Sequence, residues 1–319
     1  MNDSLKRILA QAGPFLGLIL VIALFAIPPE SRDAFLSYHN FRIIFTQTVI
    51  VAIGALGMTM IIVSGGIDLS AGSNVAFASV IGALLLQTGM GAGSVAILMI
   101  LVGAGIGLCN GTMIAGLRLP PFIITLGTMS AIRGFGKGAA SNQTVNYPGA
   151  PALNEWMTTD PLGYAFPVGV WVALALAVAT AVVLRRTVFG RQVFALGSNE
   201  ATARLCGVPT TRTKILIYAI AGGLFGLAGV FQLSRLRQGD PTVAVGLELD
   251  LIASAVIGGA SLSGGVGTVL GTMIGALIMA VLRNGSQQMG WPTNVQEIII
   301  GTAIILAVFV DKLRQGKQA

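Results

Sequence analysis

Between Ala92 and Gly116 this chain carries not one charged side chain. A helix crosses a bilayer with about 20 mostly apolar residues, fewer when its neighbours bury its ends. The same pattern recurs near Pro14–Ile27, Ile43–Val63, Ala71–Gln87, Pro121–Ala139, Phe166–Leu184, Lys214–Leu233, Leu249–Leu262, Gly267–Leu282 and Val295–Val310. The reading is an all-α integral membrane protein with about ten transmembrane helices, forming a single transmembrane domain over residues 1–319. Only 10% of residues are charged, against about 25% in soluble domains. The 43 glycines suit close helix packing in lipid. The eighth and ninth runs are short, and read as half-helices around the break Ser261–Gly267. Such a break survives at membrane depth only under cover of protein or a cavity.

Lys and Arg set the orientation. With the N-terminus inside, the inner ends hold Lys6, Arg7, Arg118, Arg185, Arg186, Arg191, Arg204, Arg212, Lys214, Lys312, Arg314 and Lys317. The outer ends hold only Arg32, Arg42, Lys137, Arg235, Arg237 and Arg283. The first apolar run, behind Lys6 and Arg7, resembles a signal peptide in outline but reads as an uncleaved span, because so many runs follow it. The loop 140–165 then lies outside, rich in Asn, Pro and Gly, and the loop 185–213 lies inside.

Several functions are excluded. The net charge of +7 belongs to the inner loops rather than to a nucleic-acid surface, since no basic helix with interleaved aromatics occurs. His39 is the single histidine, and Cys109 and Cys206 are too few for a disulfide framework. GGVGTVLGT has the glycines of a phosphate loop without its Gly-Lys-Ser/Thr. No Ser-His-Asp set appears. Asp68, Glu248, Asp250 and Glu297 read as lying at span ends, leaving mid-span Arg133 to face a cavity or to snorkel outward. Proton- or sodium-coupled carriers keep charged groups inside the membrane. Any uphill transport must therefore draw its energy from a partner.

The inner loop reads RRTVFGRQVFALGSNEATARLCGVPTTRTK. Ser198 is a candidate N-cap, with Glu200 in the first turn, where a carboxylate suits the helix dipole. Gly207 can end the helix in a left-handed conformation, and Pro209 prevents its continuation. A helix of about two turns, Asn199–Cys206, results. It reads either as a docking element or as a tie between two spans.

In SGGIDLSAGS, Gly65 and Gly66 end one helix, and Asp68 can cap the next through the amides of Ser70 and Ala71. Asp68 is read as structural. Gly258, Gly259, Gly264 and Gly265 read equally as close packing or as a broken helix along a dimer axis. Phe122, Thr125, Leu126 and Met129 recur at helical spacing. Asn110 and Gln87 are lone amides able to bond a neighbouring helix.

Four stretches occur in order: SGGIDLSAGS, LRLPPFIITLGTMSAIRG, FGRQVFALGSNEATARLCGVPTTRTKILIYAIAG and GLELDLIASAVIGGASLSGGVGTVLGTMIGALI. From about Phe41 to Leu313 they resemble the permease subunits of ribose-, xylose- and arabinose-type ABC importers. The resemblance implies a ten-helix fold similar to that of type II importer permeases. It implies a bacterial inner-membrane protein with both termini cytoplasmic. Its expected partners are a cytosolic ATPase, a periplasmic or lipid-anchored binding protein and a second permease, identical or related. The chain itself is expected to be no enzyme and to bind no cofactor, with ATP and Mg held by the ATPase. Ser198, Asn199, Glu200, Ala201, Arg204 and Gly207 would form the coupling helix, although the motif spacing departs by one residue from Glu200 and no Leu-Pro tail follows. Phe122, Thr125, Leu126, Met129 and Asn110 become candidates for a gate or pathway lining. The expected cargo is a ribose-like pentose or a hexose. The alternatives are autoinducer-2, a nucleoside or a branched-chain amino acid, or else a stand-alone carrier or channel.

Overall fold

A computed structural model describes residues 3–149, 151–157 and 166–315. The elements in chain order are α1 (Asp3–Ala26), α2 (Pro29–Phe35), α3 (Tyr38–Val63), α4 (Ala71–Gln87), α5 (Ala92–Leu117), α6 (Pro121–Ala139), β1 (Val145–Asn146), α7 (Pro151–Glu155) and α8 (Val168–Arg186). They continue with α9 (Val188–Ser198), α10 (Glu200–Leu205), α11 (Thr210–Leu236), β2 (Gln238–Gly239), α12 (Leu247–Ile257), α13 (Val269–Gln288) and α14 (Thr293–Gln315). By length and composition α3, α5, α8, α11 and α13 could each cross a membrane; Gly13–Ala26, Ala71–Gln87 and Thr293–Leu306 are shorter apolar stretches.

A helix apolar on every face belongs in the middle of a bundle. That is the place of α3, which is buried almost continuously from Thr48 to Val63 and packs against α11, α13, α12 and α8. The tightest pair is α5 with α11. Gly103 and Gly107 of α5 face Gly222 and Gly226 of α11, so close that a methyl group on any of the four would meet the opposite backbone. Lipid tails are as apolar as leucine, so association rests on such backbone-to-backbone contact.

At one end of the bundle lies α10. At the opposite end β1 pairs antiparallel with β2, Val145 opposite Gly239. There Gln87 donates to the Asn146 carbonyl at 2.6 Å. Tyr147 donates to Asn154 at 2.7 Å, and burial raises the pKa of its phenol. Of the loop 140–165, residue 150 and residues 158–165 lie outside the described residues.

The region Leu249–Leu262 does not form a span, and the break is not where the sequence placed it. Helix α12 has 11 residues, about 16 Å at 1.5 Å each, while α13 is a full 20. The two pack antiparallel: Gly258 backs onto Gly271 and Ser254 onto Gly275, and Asp250 pairs with Arg283. Residues 258–268 are therefore the turn of a hairpin. The discontinuity precedes α12. Gly239 lies against Ser79, Val80 and Ala83 of α4, whereas Ala244 and Glu248 reach Gly72 at the start of α4. The non-helical stretch 240–246 thus runs back along α4 for about 12 Å, the rise of eight helical residues. Periodicity does not register this, because Asp240, Pro241, Thr242 and Gly246 read equally well as an ordinary loop before a span.

Candidate functional site

Helices α4 and α12 both begin midway along the bundle. Asn74, in the first turn of α4, donates to the carbonyl of Gly103, near the midpoint of α5. Each short helix is preceded by a non-helical segment, 64–70 before α4 and 240–246 before α12. Backbone at such depth needs polar cover, and α5 and α6 supply it. Thr125 Oγ1 lies 3.2 Å from the Ile67 carbonyl and 2.9 Å from that of Pro121 in its own helix. Asn110 Nδ2 donates to Ser70 Oγ at 2.8 Å. Arg133 donates to the carbonyls of Val243 at 2.6 Å and Pro241 at 3.0 Å. Half-buried Arg133 therefore turns toward the 240–246 stretch rather than extending away from it, because the carbonyls of this turn need donors.

Asp68 is buried and accepts from both the amide of Ser70 at 2.8 Å and its hydroxyl at 2.6 Å. Its expected second donor, the Ala71 amide, is not used: Ser70, not Asp68, is the residue preceding α4. Glu248 and Asp250 do not fall at span ends, since α12 starts at mid-depth. The Glu248 carboxylate lies against Gly72, so one negative charge sits at the positive ends of α4 and α12.

The stripe on α6 divides. Thr125 is buried, Met129 half-buried, and Phe122 and Leu126 are exposed in the isolated chain. Phe122 and Leu126 are free for lipid, a second subunit or a pathway, whereas Thr125 and Asn110 hold the 64–70 segment.

At the other candidate region, the loop 185–213 folds as two helices. Thr187 caps α9 by accepting from Gly190 at 3.1 Å. Ser198 is the last residue of α9 rather than the cap of the next helix, because the amphipathic stretch 188–197 is itself helical. Asn199 takes the capping role, its Oδ1 accepting from Thr202 at 2.9 Å. Helix α10 then spans Glu200–Leu205 and includes Ala201. Its end is a Schellman turn: Gly207 has φ 81°, its amide bonds Arg204, and that of Val208 bonds Ala203. Glu200 contacts Arg204 at 3.3 Å and Lys214 at 2.7 Å, the latter on α11. Arg204, Leu205 and the α5–α6 turn at Arg118–Pro120 line a cavity of about 850 Å³. Leu205 is 88% exposed.

Three glycine motifs far apart in sequence meet beneath this helix. Gly65 closes α3, again as a Schellman turn, with φ 84° and with the amides of Gly65 and Gly66 bonded to Ile62 and Ile61. Gly264 lies against Gly197 and Gly65, and Gly265 against Ser198. Gly265 donates to the Val63 carbonyl at 2.8 Å. Gly258 packs on α13, and Gly259, φ 94°, ends α12. The equal weighting of packing against breakage therefore resolves residue by residue: Gly258 packs, and Gly259, Gly264 and Gly265 turn. The sequence offered two of these motifs singly, Gly65–Gly66 and Gly264–Gly265, without Gly197 and without any sign that the three converge.

The arrangement is a bundle with one half-depth helix, α12, a shortened α4 of 17 residues, and a polar projection tied into the helix turns. Among the described residues no group of three or more potential metal ligands occurs. Residues 40–308 match the family described as branched-chain amino acid transport system permease component. The chain is 37% identical to the ribose import permease of Escherichia coli strain K12, over 93% of both chains. It is 36% identical to the ribose import permease of Bacillus subtilis strain 168, over 97% of this chain and 95% of the other. It is 32% identical to an L-arabinose ABC transporter permease of Azospirillum brasilense, over 95% and 88%. No solved structure matches.

Proposed function

The chain belongs to this family of transport permeases, and from that premise we propose that it is the membrane subunit of an ATP-driven importer for a monosaccharide. It is a multi-pass membrane protein. The observation that carries the cargo is full-length similarity above 30% identity to permeases named for ribose and arabinose. The family's own description favours a second reading, a branched-chain amino acid. The sugar reading is preferred because the individual relatives matched over nearly their whole length are named for sugars.

In this reading α10 faces the cytosol and docks on a separate ATPase, which binds ATP and Mg while this chain binds no cofactor and catalyses no reaction. Both termini are cytoplasmic in a bacterial inner membrane. A binding protein delivers the sugar at the β1–β2 end, and a second permease, identical or related, completes the pathway. The ten helices α1, α3, α4, α5, α6, α8, α11, α12, α13 and α14 form one permease domain of the type II kind, with α12 reaching only part-way.

The coupling residues are Ser198, Asn199, Glu200, Ala201, Arg204 and Gly207. A push on α10 reaches α11 through the Glu200–Lys214 pair. It reaches α3 and the α12–α13 turn through Gly197, Gly264 and Gly265. Packed backbone has no slack to absorb the movement. Phe122, Leu126 and Met129 line the route or the subunit contact.

Reconstitution tests this. Proteoliposomes holding the chain, the co-purifying ATPase and the binding protein accumulate labelled monosaccharide only with ATP. Accumulation by the chain alone, or of leucine in place of sugar, overturns the reading.

A further inference from the structure

At the end of the bundle opposite α10, between α3, α11, α12 and α13, lies a cavity of about 230 Å³ lined by Gln47, Gln232, Arg235, Asp250, Arg283 and Gln287, with apolar residues between them. A water molecule takes about 30 Å³ of liquid volume, so the space suits a few waters or one small ring.

Apart from one ion pair, its polar groups are not spent on one another. Arg283 Nη2 and Nε grip Asp250 Oδ2 at 2.6 and 2.9 Å. The other carboxylate oxygen, Oδ1, is buried with no hydrogen-bond partner, and Asp250 is only 2% exposed. Among the described residues Arg235 has no acidic partner. One wall thus offers an orphaned acceptor and another offers unused donors. A simple anion would serve Arg235 and be repelled by Asp250; a simple cation would do the reverse. A hydroxyl both donates and accepts, so it can serve either. The three glutamine amides are planar and carry donor and acceptor side by side, the complement of two adjacent hydroxyls on a ring. Leaving a buried carboxylate oxygen unpaired is costly, and a ligand hydroxyl removes that cost.

We propose that this cavity is a sugar-binding site within a single permease chain, in which Asp250 accepts from a ring hydroxyl while Gln47, Gln232 and Arg235 hold its neighbours. The site rests on the monosaccharide reading above and deepens it. It is the station at which a sugar entering from the β1–β2 end first meets the permease.

The test uses the purified full-length chain in nanodiscs, with D-ribose, L-arabinose and D-galactose as probes and saturation-transfer NMR as readout. The expected result is a saturable sugar signal, weakened about tenfold by Asp250→Asn, roughly the loss of one strong hydrogen bond. Because that change also disturbs the ion pair, Gln47→Leu and Gln232→Leu provide variants that leave the pair intact; each is expected to weaken the signal several-fold. L-leucine is expected to give none. Sugar signals unchanged in all three variants, or a leucine signal that exceeds the sugars' and depends on Asp250, overturn the site. Uptake by the reconstituted assembly separates the two readings. Sugar uptake with wild-type rates in the Gln47 and Gln232 variants sinks this site alone. Absence of sugar uptake by the wild-type assembly sinks the transport reading itself.

Discussion

The amide of Gly265 donates to the carbonyl of Val63 across 2.8 Å, joining the α12–α13 turn to the end of α3. Gly197 sits against the same carbonyl, so the inner loop is fastened at the same point. A side chain there must displace backbone. Gly197→Ala is expected to lower stability by about 1–3 kcal/mol, the usual cost of overpacking, read as a fall in the melting temperature of the solubilised protein. Gly105→Ala, where a methyl group meets nothing within 4 Å, is expected to be neutral. Equal melting temperatures for the two would remove the glycine junction from the account.

Arg133 is the donor for Pro241 and Val243. Arg133→Met keeps most of the length and apolar bulk but leaves both carbonyls unpaired. Each buried orphan costs about 1–3 kcal/mol, so the variant should unfold earlier and expose the 240–246 stretch to hydrogen exchange. Exchange as slow as in the wild type would mean that other groups cover this backbone.

Breaking the Asp250–Arg283 pair should cost about 3 kcal/mol, the lower part of the range for buried pairs, because Arg283 is 38% exposed. Arg283→Met leaves a bare carboxylate and should be worse than the double variant Asp250→Asn with Arg283→Met. Thermal unfolding of the single and double variants settles the order, and additive losses would show that the two do not interact.

Helix α10 is exposed and its ion pairs are partly solvated, so their loss should change stability by no more than about 1 kcal/mol. Function should respond instead. In the reconstituted assembly Glu200→Ala and Arg204→Ala are expected to uncouple ATP hydrolysis from uptake, and Leu205→Asp to abolish capture of the ATPase by the folded permease. Wild-type uptake in all three would remove α10 from the coupling path.

Much of this architecture was legible in the sequence, and the illegible part has a physical cause. Helix α5 could be read almost to the residue, since Ala92–Gly116 is apolar without interruption. The Gly207–Pro209 stop followed from backbone chemistry. What stayed hidden was depth. Asp240, Glu248 and Asp250 mark 240–257 as unusual for a span, but a polar loop followed by a span would show the same pattern, so the sequence did not say where the chain turns back. Capping was misplaced by one residue at Ser198 because α9, capped by Thr187, runs on through Ser198 and leaves Asn199 to start the next helix. Arg133 and Asp250 could be seen as unusual, but their partners lie 108 or more and 33 positions away. No local pattern reports such pairings.

Helix α11 has 27 residues, about 40 Å end to end. It starts four residues before Lys214, which holds Glu200, and finishes one residue short of the β2 strand that zips to β1. A single stiff lever therefore links the polar projection on one face to the two-stranded β1–β2 sheet on the other. In the transport reading proposed above, tilting its base would swing its tip, so whatever seals the far entrance would travel with the near-side contact and need no separate messenger.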